Sequence, residues 1–90
     1  MISIRYLYKN DLMTRFKHIS ANPAILGGKP ILTGTRISVE LVLEWIASGA
    51  TPEMIVEKYP HLSQEAVREA ILYAAMSVKN EILLELKAVA

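Results

Sequence analysis

The spacing of apolar positions changes character along this 90-residue chain. Near the start Ile2, Ile4 and Tyr6 alternate with Ser3 and Arg5, the period of a strand. Asn22-Pro23 and Gly27-Gly28 then punctuate the chain as turns. Residues 30–32 and 35–37 read as two short strands joined at Thr33-Gly34, where glycine supplies a positive φ cheaply, so a small β-hairpin is expected. Beyond it the period becomes helical. Ser38 is a suitable cap for a helix from Val39 to about residue 48, and Gly49 is a suitable stop. Thr51-Pro52-Glu53 supplies a cap, a proline at the first helical position and an acid in the first turn. That helix should end near Tyr59, because Pro60 disfavours helical geometry in the residue before it. Ser63-Gln64-Glu65 opens a third helix with Val67, Ala70, Ile71, Ala74, Ala75 and Val78 at helical spacing. It either runs on to the C-terminus or breaks near Asn80, leaving Ile82, Leu83, Leu84 and Leu86 on a final short helix.

The expected fold is therefore mainly α: a short N-terminal β-hairpin, then a trihelical helix-turn-helix unit, then a C-terminal helix. Leu43, Ile46, Ile55, Tyr59, Leu62, Val67 and Ile71 are the expected shared core, with Trp45 and Tyr73 on apolar helical faces. Residues 1–12 read as an N-terminal extension, either a strand or a stretch ahead of a true start at Met13, and residues 13–90 as one domain.

Composition sharpens this. An apolar content of 52% is high for so short a chain, so part of it should be buried against another subunit or partner. The leucines of 81–86 surround their helix instead of forming one stripe, which points the same way. Tyr73, Val78, Ile82, Leu83, Leu84 and Leu86 are the candidate partner or dimer interface, the alternative being a well-covered last helix. There are no cysteines, and no stretch has the length of a membrane span or the form of a signal peptide, so a cytoplasmic protein is expected.

The net charge of +1 hides an asymmetry. Residues 1–36 carry six Lys and Arg against Asp11 alone, a net +5, whereas residues 37–90 carry four against eight glutamates, a net −4. In a helix-turn-helix the N-terminal turns of the last helix face the major groove, which nominates Ser63, Gln64 and Arg68. Thr51, at the start of the preceding helix, and the basic residues Lys29 and Arg36 are candidates for phosphate. For Arg36 the first reading is a pair with Glu40, Glu44 or a helix-end carbonyl, and phosphate is the alternative. Glu65 and Glu69 flank the supposed reading face and would repel phosphate, so a packing unit that never meets DNA stays open.

Catalytic chemistry is not expected. Lys29 is followed by Pro30, which breaks the spacing of a phosphate loop. His18 and His61 lack a second ligand at metal-binding spacing, and no acid is placed to orient a His18–Ser20 pair. No cofactor, metal or catalytic residue is assigned.

Asn22-Pro23, Gly27-Gly28-Lys29-Pro30, Gly34-Thr35-Arg36-Ile37, Val39, Gly49, Tyr59-Pro60, Leu62, Ala70, Tyr73 and Lys79-Asn80-Glu81-Ile82 together resemble the domain-of-unknown-function family 433, over residues 19 to about 86. The resemblance implies a homeodomain-like helix-turn-helix related to VapB-type antitoxins, usually a homodimer. It further implies a PIN-like ribonuclease toxin encoded nearby as partner, with operator DNA bound for autoregulation. Two rivals are a stand-alone transcriptional regulator and a dimeric protein-interaction module that binds no DNA.

Overall fold

A computed structural model describes residues 15–89, with side chains described as far as Lys79. Two short strands, β1 (Ile19–Ser20) and β2 (Ile31–Leu32), precede three helices, α1 (Val39–Ala47), α2 (Pro52–Lys58) and α3 (Gln64–Val89). The chain is mainly helical, with a two-stranded antiparallel element ahead of the helices.

Each helix starts on a hydroxyl cap. The side chains of Ser38, Thr51 and Ser63 accept from the backbone N–H groups of Leu41, Met54 and Ala66 at 3.0, 3.2 and 3.0 Å, satisfying donors the helix itself leaves unpaired. Helix α1 ends in a double-bonded glycine cap. The Gly49 N–H donates to the Ile46 carbonyl and the Ala50 N–H to the Trp45 carbonyl, both at 3.0 Å, with Gly49 at φ +103°. Helix α2 stops at Tyr59, whose extended φ of −122° is the conformation Pro60 demands of it. Helix α3 does not break at Asn80; it is continuous to Val89.

The β element differs from the sequence expectation. Strand β2 pairs with β1, Ile19 opposite Leu32 and Ser20 opposite Ile31, and the Thr33 N–H extends the ladder to the His18 carbonyl at 2.8 Å. Residues 35–37 form no strand. The Thr35 hydroxyl donates to the Leu32 carbonyl at 2.7 Å and accepts from the Ile37 N–H at 3.0 Å, closing a local turn that leaves one isolated bridge, Ile31 to Ser38. The ten residues between the strands are shaped by Asn22, whose side chain accepts from the Ala24 N–H at 2.9 Å, and by a 3-10 turn at Leu26–Gly28.

Helix α3 packs against α1, α2 and both strands. Its inward face is Ala66, Val67, Ala70 and Tyr73, meeting Ile19 and Leu32 from the strands, Val39 and Val42 from α1, Ile55 from α2 and Leu62 from the turn. Of the expected core, Ile55, Leu62 and Val67 are buried, while Leu43, Ile46, Tyr59 and Ile71 are partly covered around them. Among the residues whose side chains are described, the core draws on α3 as far as Met76. Thirteen further helical residues, roughly 20 Å of helix, continue to Val89.

Candidate nucleic-acid interface

The turn between α2 and α3 is set by two residues. The Tyr59 carbonyl accepts from the Leu62 N–H at 2.9 Å, and the Leu62 side chain is buried, plugging the space between the helices. With Ser63 as cap, α3 enters so that positions 66, 67, 70 and 73 face inward and 64, 65, 68 and 72 face solvent. Gln64 and Arg68, one turn apart, thus share the outward face, as the helix-turn-helix expectation requires, and exposed Leu72 continues the same strip.

Arg68 is partnered. Its guanidinium meets the Glu53 carboxylate at 3.3 Å, both side chains being more than half exposed, so the pair is weak and easily exchanged. The Glu53 carboxyl is held below its ordinary value of 4.5 by the backbone N–H at its own position, against opposing desolvation, with further help from the Thr51 hydroxyl and Arg68. The N-terminus of α2 is therefore already served by the chain's own carboxylate. That changes the reading of Thr51: its Oγ1 caps the Met54 N–H instead of standing free for a phosphate. Ser63 is likewise occupied as a cap and contributes placement of α3.

Lys29 and Arg36 form a separate group at the N-terminal end of α1, a helix about 14 Å long, whereas Thr51 follows its C-terminal end. They line a shallow depression of about 380 Å³ with Leu26, Ser38, Glu40 and Glu44. Lys29, not Arg36, takes the carboxylate of Glu40, at 3.2 Å. Arg36 is exposed, and among the described residues no hydrogen bond or ion pair reaches it, so the expected pairing with Glu40 or Glu44 is not made.

The expected interface residues divide. Tyr73 is 4% exposed, its ring edge-on to Phe16 at 5.7 Å, so its side chain is used inside the subunit and not at a surface. Val78 is 57% exposed. Ile82, Leu83, Leu84 and Leu86 lie on the backbone of α3 but outside the residues whose side chains are described. Residues 1–12, the expected extension, lie outside the described residues altogether. Among the described residues no helix is long and apolar enough to cross a membrane.

His18 is not isolated, contrary to its reading from sequence. Its backbone N–H donates to Glu69 Oε1 at 3.2 Å, and its Nε2 lies 3.4 Å from Glu69 Oε2 and 3.5 Å from Glu65 Oε2. The two glutamates that flank the reading face are thus both turned toward the entry of β1. Their i, i+4 spacing was visible in the sequence; the histidine, about fifty residues earlier, was not connectable to them. His61 remains apart, exposed and edge-on to Tyr59 at 6.3 Å.

Comparison with known proteins places the chain in a family. The family model described as "Protein of unknown function (DUF433)" matches residues 19–74. The chain is 37% identical over 65 residues to the uncharacterized protein y4eO of Sinorhizobium fredii (strain NBRC 101917 / NGR234), covering 72% of this chain and 29% of that protein. The chain thus spans about three tenths of the length of this curated relative. The crystal structure of a DUF433 member protein from Anabaena variabilis ATCC 29413 superposes with a TM-score of 0.66 at 21% identity, over 88% of this chain and 80% of that one, and so shares its fold.

Proposed function

The chain belongs to the DUF433 family of proteins of unknown function, and we propose that it serves as a DNA-binding regulator of the VapB antitoxin type, with a homeodomain-like helix-turn-helix. In this reading it occupies its own operator as a dimer and also covers a PIN-like ribonuclease encoded beside it. The observation that carries the DNA half is the placement of Gln64 and Arg68. They stand on the outward face of the first two turns of α3, while its opposite face is anchored in the core. Glutamine and arginine are suited to bidentate contacts with adenine and guanine edges, and helix-turn-helix units offer such positions to the major groove. Duplex would displace the weak Glu53 partner of Arg68, and exposed Lys29 and Arg36 would add phosphate contacts from the far end of α1. The partner half is supported by the length of α3, which runs on to Val89, and by the exposure of Val78 on it.

The carboxylates around this face favour one rival. Glu53 is exposed and paired with Arg68, and exposed Glu65 lies one turn before it on α3, which suits a protein-interaction module better than a duplex binder. Electrophoretic mobility shift with duplex from upstream of the protein's own gene separates the two. Replacing Gln64 and Arg68 together by alanine should weaken binding at least tenfold without altering helicity or oligomeric state. Equal affinity of the double variant, or no salt-sensitive binding by the parent protein, would remove the DNA-binding assignment.

A further inference from the structure

Of the polar side chains outside the α2–α3 face, one group has the composition and spacing of a ligand set. His18, Glu65 and Glu69 present one imidazole nitrogen and two carboxylate oxygens, all within 4.8 Å of one another. Three ligand atoms held about 2.0–2.1 Å from one ion at tetrahedral angles stand roughly 3.3–3.4 Å apart. The nitrogen-to-oxygen distances here are 3.4 and 3.5 Å.

A second observation concerns the nitrogen itself. His18 Nε2 is buried and has no hydrogen-bond partner, although two carboxylate oxygens stand within 3.5 Å of it. At 3.4 and 3.5 Å those oxygens stand beyond the usual span of an N–H···O hydrogen bond, about 2.7–3.2 Å. That separation suits separate ligands around a shared ion better than a direct hydrogen bond. A buried ring nitrogen facing two carboxylates is otherwise an unsatisfied group.

The surroundings are those of a ligand set as well. The His18 N–H holds Glu69 Oε1 at 3.2 Å, which fixes the carboxylate and leaves Oε2 directed at the imidazole. Glu69 is largely covered, with a side-chain exposure of 17%, and Glu65 is open at 71%, so the group has a closed floor and a solvent side. Neutral imidazole and two carboxylates sum to two negative charges, matched by a dication. The nitrogen disfavours Mg²⁺ and Ca²⁺, which take oxygen ligands, and favours a borderline first-row ion.

We propose that His18, Glu65 and Glu69 bind a divalent transition ion of the Zn²⁺ type, with three protein ligands and the remaining position open to solvent beside Glu65. Such an ion joins the entry of β1 to the first two turns of α3, tying together segments about fifty residues apart in the chain.

The test uses the full chain, stripped with chelator and titrated with Zn²⁺ by calorimetry and with Co²⁺ by visible absorption. One ion per chain is expected, with ligand-field bands in the Co²⁺ form, and Zn²⁺ in large excess over its Kd should raise the thermal midpoint by roughly ten degrees or more. Glu65→Gln and Glu69→Gln should each lose at least tenfold in affinity, while Glu57→Gln, an exposed carboxylate on α2, should lose nothing. Among the described residues no backbone N–H donates to the Glu65 carboxylate, so its variant remains informative even where Glu69→Gln disturbs folding. No binding of either ion, binding indifferent to Glu65→Gln, or binding abolished by His61→Asn would overturn the assignment.

Discussion

Replacing Gly49 by alanine tests the end of α1 through the sign of the effect. Gly49 sits at φ +103°, and a Cβ built on it would find nothing within 4 Å, so the substitution creates no clash with the rest of the chain. What remains is the backbone itself. A left-handed conformation costs an L-residue about 1–2 kcal/mol, partly offset by the smaller conformational freedom alanine brings to the unfolded chain, worth about 0.4–1 kcal/mol. The expected result is a net loss of about 1 kcal/mol. Were Gly49 instead part of the helix, the same change would gain roughly 1 kcal/mol. The two geometries therefore predict opposite signs. Urea unfolding followed by the emission of Trp45, the single tryptophan, reads the difference, because its ring lies 5.1 Å from Tyr59 in a stack that unfolding separates. Gly49→Ala should lower the urea midpoint with an unchanged slope and lower the thermal midpoint by about 4–8 °C. Gly49→Asn should fall between the two, since asparagine tolerates positive φ better than alanine. A Gly49→Ala protein as stable as the parent, or more stable, would refute the glycine-capped end of α1.

Two further outcomes follow from burial and charge. Val67 is fully buried and Leu72, on the opposite face of the same helix, is 53% exposed; Val67→Ala should cost about 2–3 kcal/mol in urea unfolding, and Leu72→Ala less than about 0.5 kcal/mol. Glu53 has a folded-state carboxyl held below its ordinary 4.5, so its ionisation favours the folded chain above that pH and the benefit fades as pH falls through the lower folded value. Glu53→Gln should therefore be less stable than the parent at neutral pH and converge with it in acid, as urea midpoints across that range would show; a constant gap would contradict the assigned interactions. In the DNA-binding reading the same variant also frees Arg68, and its duplex affinity at low salt should rise a few-fold in the mobility shift assay.

How legible the molecule was depended on the distance over which each feature is decided. The starts of all three helices were readable, because a cap is a contact between a hydroxyl and an amide three residues on, as at Ser38, Thr51 and Ser63. The stops at Gly49 and Pro60 were readable for the same reason: one needs a positive φ and the other constrains the residue before it. The outward placement of Gln64 and Arg68 followed from helical periodicity alone.

Tertiary structure decided what depends on distant partners. Strand β2 had a plausible local mate in residues 35–37. The Thr35 hydroxyl closes part of that segment into a turn, leaving the Leu32 N–H to Ile37 carbonyl bond and one bridge there. The strand ladder itself forms with Ile19–Ser20 across a ten-residue connection. Two-residue strands carry no periodic signal, so nothing local marks them. Tyr73 stood both among the core positions and among the candidate interface residues, and the folded chain placed its ring against Phe16 in the core. Glu65 and Glu69 looked like solvated acids beside a reading face, and His18 like a lone ring, until the fold brought them together. Backbone geometry over three or four residues is set by local sterics and hydrogen bonds, and the sequence alone determined it here. Which side chains share a space is set by closing long loops around one core, and only the folded chain decided that.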